Sequence, residues 1–206
     1  MSLSTLSETD GSPPSLAASL RKFDANQKIH HSPHSLWLVH SGIVKTLCIQ
    51  PEGYVTTLGY WGTGDLIGGP IHEPADCEMI CVTPVSAECI SLHVDSSILS
   101  ALMAQIATTN ALLAIQGIKQ VNQRLQQGLL WLAHKFGQDT RSGCLIACPL
   151  TQDALAELIG TTRVTITRLL KELTQLGYIQ RSKKMYTLTP NALHTQDWFG
   201  YEGDSR

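Results

Sequence analysis

Charge is scarce in this chain. Asp, Glu, Lys and Arg make up 16% of its 206 residues, and aromatics only 6%. No lysine or arginine occurs between Lys45 and Lys119. Uninterrupted apolar runs are also short, as in Met79 to Val82, against the ~20 residues of a membrane-spanning helix. No membrane association is expected on that ground. The first fifteen residues, MSLSTLSETDGSPPS, have neither the basic start nor the apolar centre of a signal peptide. They read as a loose polar lead, and the cytoplasm is the expected compartment. The six cysteines form no CxxC pair. Cys77-x3-Cys81 and Cys144-x3-Cys148 lack the spacing of a zinc site, so reduced and mostly buried thiols are expected, with no metal and no cofactor. The glycines at 62, 64, 68 and 69 are followed by no Gly-Lys-Ser/Thr, which favours corners of a β structure over a phosphate loop. No nucleophile, base and orienting group form a recognisable set, and His72 with Cys77 or Cys81 is the best pair available. The chain is therefore not expected to be an enzyme.

What charge there is lies unevenly. Residues 1–148 hold eight basic and eleven acidic residues, whereas residues 149–188 hold six basic and three acidic ones. A basic module on an acidic body fits a protein that meets nucleic acid at one end.

Three patterns divide the chain. Residues 35–95 carry short apolar-polar alternations such as SLWLVHSGIVKTLCI, EGYVTTLGYW and CEMICVTPVSAECISLHV, separated by Gly and Pro. They predict a small β-barrel or sandwich within residues 16–95. Between Ser96 and Phe136 there is no proline, and the period becomes helical. Ala104, Thr108, Ala111, Ile115, Ile118, Asn122 and Leu125 recur at steps of four and three, as in a coiled-coil seam. Leu102, Ile106 and Leu113 form a second stripe, suited to pack on the β domain. Residues 96–121 thus read as a dimerisation helix, with a break near 121–124 and a further helix ending at Gly137.

Residues 149–188 carry the most specific pattern. Thr151 precedes QDALAELIG, whose Ala154, Leu155 and Leu158 share a face and whose Gly160 ends the helix. Thr161 or Thr162 is placed to cap a second helix. In it Ile166, Leu169, Leu170 and Leu173 bury, which leaves Arg163, Val164, Thr167, Arg168 and Lys171 opposite. Two short helices joined at a glycine form a helix-turn-helix, and the second presents arginines whose planar forks match guanine edges in a major groove. YIQRSKKMYTL then reads as two strands around Ser182-Lys183-Lys184, a basic wing placed to meet phosphate.

The stretch LTQDALAELIGTTRVTITRLLKEL resembles the DNA-binding motif of the cyclic-AMP receptor protein family, which includes the fumarate-nitrate regulators. Its Arg-Val-Thr-x-Thr-Arg-Leu-Leu form is most similar to the cyanobacterial nitrogen-control branch. LWLVHSGIVKTLCI, EGYVTTLGYWGTGDLIG and the long helix resemble the family's effector domain and dimer helix. The resemblance covers about residues 35–188. It implies an α+β protein: a jelly-roll or cupin-like β-barrel, a dimerisation helix, and a winged helix-turn-helix over residues 122–206. It also implies a homodimer that binds palindromic double-stranded DNA, with RNA polymerase as a candidate further partner. By position, Arg163, Val164, Thr167 and Arg168 would read bases. Thr151, Gln152, Thr162, Lys171, Lys183 and Lys184 would meet phosphate.

The effector region departs from the family. Gly69 replaces the glutamate that binds cyclic nucleotide, and no arginine follows for its phosphate. Glu73, Asp76 and Glu78 are found there instead, so cyclic AMP is not the expected ligand. The basic groups that serve 2-oxoglutarate and the N-terminal cysteines that hold an iron-sulfur cluster are missing too. A haem- or redox-dependent regulator using His72, Cys77 or Cys81 is the alternative, and the effector is otherwise open.

Overall fold

The computed structural model describes residues 19–30, 36–68, 71, 77–90 and 96–194. Its N-terminal part is built of eight strands: β1 (Ser19–Phe23), β2 (Lys28–Ile29), β3 (Leu36–Ser41), β4 (Val44–Ile49), β5 (Val55–Trp61), β6 (Leu66–Gly68), β7 (Cys77–Cys81) and β8 (Val85–Ile90). They form two four-stranded antiparallel sheets, ordered β1-β8-β3-β6 and β2-β7-β4-β5. Alternation sets the inward face. In β7, Cys77, Met79 and Cys81 are buried while Glu78 and Ile80 are half-exposed. Between the sheets Trp37, Val39, Val44, Trp61, Ile67 and Met79 make the core. The Trp61 indole donates to Thr46 Oγ1 at 2.9 Å, which removes the cost of burying it unpaired. The sheets pack as a jelly-roll-like sandwich and do not close into a barrel among the described strands. β1 and β2 lie before the segment whose alternation is legible, since β1 is interrupted by the adjacent cations Arg21 and Lys22 and β2 is only two residues long.

Helix α1 (Ser96–Gln116) follows, then α2 (Val121–Phe136). The break lies at residues 117–120, one turn earlier than the sequence pattern suggests, and it begins at Gly117. The proposed seam also needs correction. Gln105, Leu112 and Ile115 are the residues that α1 buries. Ile115 is 8% exposed and Leu125 0% within a single chain, so neither is available to a second copy. Of the other seam positions, Ala104, Ala111 and Asn122 are exposed while Thr108 and Ile118 are half-buried. The second stripe, expected against the β domain, is split: Leu102 is half-buried, whereas Ile106 and Leu113 are 61% and 69% exposed. They continue a row that starts with Leu99 and Met103, both more than half exposed. The two faces are a fraction of a turn apart, and small side chains such as Ala104 and Ala111 do not distinguish them by period.

By length and composition α1 could also cross a membrane: it has a mean hydropathy of 1.7 with only 17% of its apolar window buried. Counting unbroken runs missed this because Ser100, Gln105, Thr108, Thr109 and Asn110 interrupt the runs without adding charge.

The C-terminal part comprises β9 (Gly137–Thr140), β10 (Gly143–Ile146), α3 (Gln152–Ile159), α4 (Arg163–Gln175), β11 (Ile179–Ser182), β12 (Met185–Leu188) and α5 (Pro190–His194). Its sheet is ordered β11-β12-β10-β9, so the expected two-stranded wing is half of a four-stranded sheet. One core joins α2 to this unit and reaches back to the first. It contains Leu125, Leu129, Leu132, Ile146, Leu155, Leu158, Ile166 and Leu188, and also Ile43 and Tyr60 beside β4 and on β5.

Gly143 opens β10 with φ of +127°, and a β-carbon there would run into the carbonyl oxygen of Leu188. Gly143→Ala is therefore expected to destabilise the protein by more than about 1 kcal/mol, read as a lower denaturant midpoint in urea unfolding.

Candidate nucleic-acid interface

The site grows from two capped helices. Thr151 accepts a hydrogen bond from the Ala154 amide at 3.0 Å and so starts α3. Gly160 ends α3 in the left-handed region, at φ of +64°. Two residues later Thr162 accepts from the Thr165 amide at 3.2 Å and starts α4. Of the two cap candidates, Thr161 and Thr162, Thr162 takes the role.

Burial then sorts the residues of α4. Ile166, Leu169, Leu170 and Leu173 enter the core. Arg163, Val164, Thr167, Arg168 and Lys171 are exposed. Val164, at 80%, is the most exposed large apolar side chain among the described residues. The expected reading face is thus one continuous strip. Arg163 lies 3.7 Å from Asp153, and Arg168 lies 3.7 Å from Glu172. Both arginine side chains are about two-thirds exposed in these pairs. Exposed pairs of this kind contribute only ~0–1 kcal/mol, so both guanidinium groups can exchange partners at small cost.

Thr167 is more constrained. Its hydroxyl lies 2.9 Å from both the Arg163 carbonyl oxygen and Gln152 Oε1. It therefore ties α4 to the first turn of α3, and its methyl group is the part left for contact. Thr151 and Thr162 likewise commit their hydroxyls to caps.

The wing follows the sequence reading. Strands β11 and β12 pair with Ser182 opposite Met185, and Lys183 and Lys184 form the exposed turn. Lys183 has a positive φ of +54°. The turn is held by Arg181, whose Nε donates to the Lys183 carbonyl at 3.1 Å while its guanidinium sits 5.8 Å from the Tyr186 ring centroid. The Leu150 amide donates to the Lys184 carbonyl at 2.7 Å, fastening the wing to the residue before the α3 cap. Thr151 and Gln152 are thereby brought near Lys184, which is more than thirty positions later. Sequence reasoning missed Arg181 as a support, because Tyr186 comes opposite it only through the register of β11 and β12.

Arg124 is the other residue not anticipated. Its guanidinium donates to the carbonyls of Ile118 at 2.8 Å, Ile159 at 2.9 Å and Gly160 at 3.3 Å. Gln116 Nε2 donates to the Leu158 carbonyl. The end of α3 is thus fastened to the α1–α2 junction. Two ion pairs join the unit to the β domain: Lys45 with Glu157 at 2.7 Å and Lys135 with Asp65 at 2.8 Å. Beside them is an open cleft of about 520 Å3 lined by Ile43, Asp65, Thr83, Lys135, Phe136 and Gln138, among others.

Gly69, His72, Glu73 and Asp76, singled out in the effector region, lie outside the described residues. Cys77 and Cys81 are in the sandwich core, and burial pushes the Cys81 thiol up to about 11. Glu78 points the other way. It meets Lys28 of β2 at 2.7 Å on the outer face, so it is not the unpaired inward carboxylate that the sequence suggested. Among the described residues no three His, Cys, Asp or Glu side chains cluster as a metal site.

Comparison with known proteins gives a consistent outcome. The Crp-like helix-turn-helix domain matches residues 123–195. The regulatory protein CysR of Synechococcus elongatus is 37% identical over 151 residues, covering 71% of this chain and 72% of that protein. The global nitrogen regulator of Synechocystis is 36% identical over 107 residues, 50% of this chain and 48% of its own length. Among solved structures, a transcriptional regulator of the CRP family from Thermus thermophilus superposes with a TM-score of 0.75 at 17% identity, over 90% of this chain and 100% of that one. This last likeness concerns the fold.

The Thr162 cap is open to a direct test. Thr162→Ala is expected to cost about 1 kcal/mol of stability, and Thr162→Asn much less, since asparagine caps equally well. Urea unfolding of the two variants checks it, and equal losses would remove the cap from the account.

Proposed function

Because the chain belongs to the cyclic-AMP receptor protein and fumarate-nitrate regulator family of DNA-binding transcription regulators, we propose that it binds a palindromic operator as a homodimer, without cyclic AMP, in the cytoplasm. The observation that carries this reading is the exposed strip of Arg163, Val164, Thr167 and Arg168 on the doubly capped helix pair, flanked by the Lys183–Lys184 wing. Arg163 and Arg168 are suited to guanine edges, and Val164 and the Thr167 methyl to thymine methyls. Lys171, Lys183 and Lys184 suit the phosphate backbone, and Thr151, Gln152 and Thr162 approach it from the two helix starts.

Dimerisation is assigned to the exposed row on α1. Leu99, Met103, Ile106, Asn110 and Leu113 follow one another at steps of four and three, with one polar member at Asn110. Four apolar side chains that are each more than half exposed on one helix call for a partner. A second copy of α1 fits better than lipid, since two copies must be held together for two half-sites to be read at once. This interface replaces the seam drawn through Ala104, Thr108, Ala111, Ile115, Ile118, Asn122 and Leu125.

Independence from cyclic AMP rests on charge. Residues 46–118 hold no cation, Lys28 is engaged with Glu78 on the outer face, and Arg21 and Lys135, which approach the sandwich core, lie over the Trp37 and Trp61 rings, with Lys135 also paired to Asp65. A buried phosphate without a cation is strongly disfavoured.

Fluorescence anisotropy on a labelled palindromic duplex tests the base-reading assignment. Binding is expected without added nucleotide. Arg168→Ala is expected to lose ~1–3 kcal/mol at the specific site only, whereas Lys183→Ala with Lys184→Ala weakens specific and random DNA alike and flattens the salt slope by about one per lost phosphate contact. Equal losses for Arg168→Ala on all sequences would make it a phosphate contact.

Ile106→Glu tests the interface. Its charge falls on an exposed position and leaves the protomer core intact, so the variant is expected to sediment as a folded monomer with weak palindrome binding. An intact dimer would place the interface elsewhere.

A further inference from the structure

Two cysteines face each other across the second sheet. In the β4–β7 ladder Cys48 is directly opposite Cys77, at the end of a register that runs unbroken from Val44 opposite Cys81. The hydrogen bonding around β7 fixes which kind of pair this is. The Cys81 amide donates to the Gln27 carbonyl at 2.9 Å, and the Cys81 carbonyl accepts from the Asn26 amide at 2.7 Å. The Val82 amide turns the opposite way and donates to the Ile43 carbonyl at 2.7 Å. Odd-numbered residues of β7 therefore direct their backbone groups away from β4. Cys77, four residues before Cys81, is in the same phase. Cys48 and Cys77 thus occupy a non-hydrogen-bonded position.

Such positions bring the strands closest, with α-carbons about 4.5 Å apart and the two side chains on one face. A disulfide needs α-carbons between about 4.4 and 6.8 Å. The bond can therefore close without moving either strand out of register. No other cysteine has this placement. Cys81 is opposite Val44, Cys89 lies between Ser19 and Trp37, and Cys144 between Asp139 and Leu188. Cys77 and Cys81 are at the two ends of a five-residue strand, too far apart to join.

Exposure divides the roles. Cys48 is half-buried, whereas Cys77 is 6% exposed. A dissolved reagent reaches Cys48 first, and Cys77 is reached through Cys48. The geometry points to Cys48 and Cys77 as a reversible thiol–disulfide site that is closed by a small-molecule disulfide. The Cys48 thiolate attacks one sulfur of oxidised glutathione, breaking its S–S bond and releasing one glutathione thiolate. The Cys77 thiolate then attacks the Cys48 sulfur, forming the Cys48–Cys77 bond and releasing the second glutathione. The protein dithiol is oxidised, and one glutathione disulfide is reduced to two thiols. Burial holds the competing thiols back: Cys81 is raised to about 11 and Cys148 to about 12.

Mass mapping of the full chain tests this. Reduced protein is incubated with oxidised glutathione near pH 8, its remaining thiols are alkylated under denaturing conditions, and the chain is cut after glutamate. Trypsin will not serve, because the absence of Lys and Arg between Lys45 and Lys119 leaves four cysteines on one peptide. Cuts after Glu52, Glu78 and Glu88 separate Cys48, Cys77, Cys81 and Cys89. The expected product is the Cys48 fragment joined to the Cys77 fragment, two hydrogens lighter than their sum and without glutathione, and separated again by dithiothreitol. Cys77→Ser is expected to stop with one glutathione on Cys48, and Cys48→Ser to form no such link. A stable glutathione on Cys48 in the unmodified sequence, unlinked fragments, or a link through Cys81 or Cys89 would overturn the assignment. The wild-type map decides the matter even where a serine variant folds poorly.

Discussion

The Arg124 guanidinium joins three segments that also share one apolar core. It sits at the first turn of α2 and donates to the Ile118 carbonyl in the break after α1 and to the Ile159 and Gly160 carbonyls at the end of α3. The last carbonyls of a helix have no partner within it, and burying them unpaired is costly. Arg124 and Gln116 meet this need for α3 from outside it. Because Gly160 also begins the turn into α4, the same contact positions the exposed strip of α4 relative to α1. Well-formed hydrogen bonds from a charged group contribute roughly 1.5–3 kcal/mol, and the exposed 3.3 Å contact to Gly160 contributes less.

A second constraint comes from the β domain. Lys45 reaches Glu157 on α3, and Asp65 reaches Lys135 on α2. Tyr60 lies between them in the shared core, where burial and the nearby Cys148 and Glu157 raise its hydroxyl above the ordinary phenol range. The face of β4 and β5 that an isolated sandwich would leave in water is thus covered by the C-terminal unit. Lys45 shows the economy of the arrangement: the last cation before a long stretch without one joins the two units.

The exposed strip of α4 was largely legible from residues 149–188. A cap, a glycine stop, a second cap and a four-residue apolar stripe are local features, and each restricts the backbone within one or two turns. Burial then had to fall on Ile166, Leu169, Leu170 and Leu173, and exposure on the arginines. The effector side was less legible. Glu78 looked like an unpaired carboxylate because its partner, Lys28, comes from a two-residue strand fifty positions earlier.

Local chemistry along the chain thus settled the main strands of residues 35–95, the long helices, the helix pair and wing of residues 149–188, and which side chains of α4 face out, but not β1, β2, β9 and β10. It did not settle which side of α1 meets the β domain. Ala104, Thr108 and Ala111 repeat with a seam's period, but the helix turns Gln105, Leu112 and Ile115 inward and leaves Leu99, Met103, Ile106 and Leu113 outside. The reason is that a helix apolar on several sides has nearly equal local preferences for each orientation. The choice among them is made by the shape of the partner surface and by the ends of the helix, here held by Gln116 and Arg124. The opposition of Cys48 and Cys77 has the same origin. Nothing in the residues between them specifies a distance, and the register of two strands brings them together.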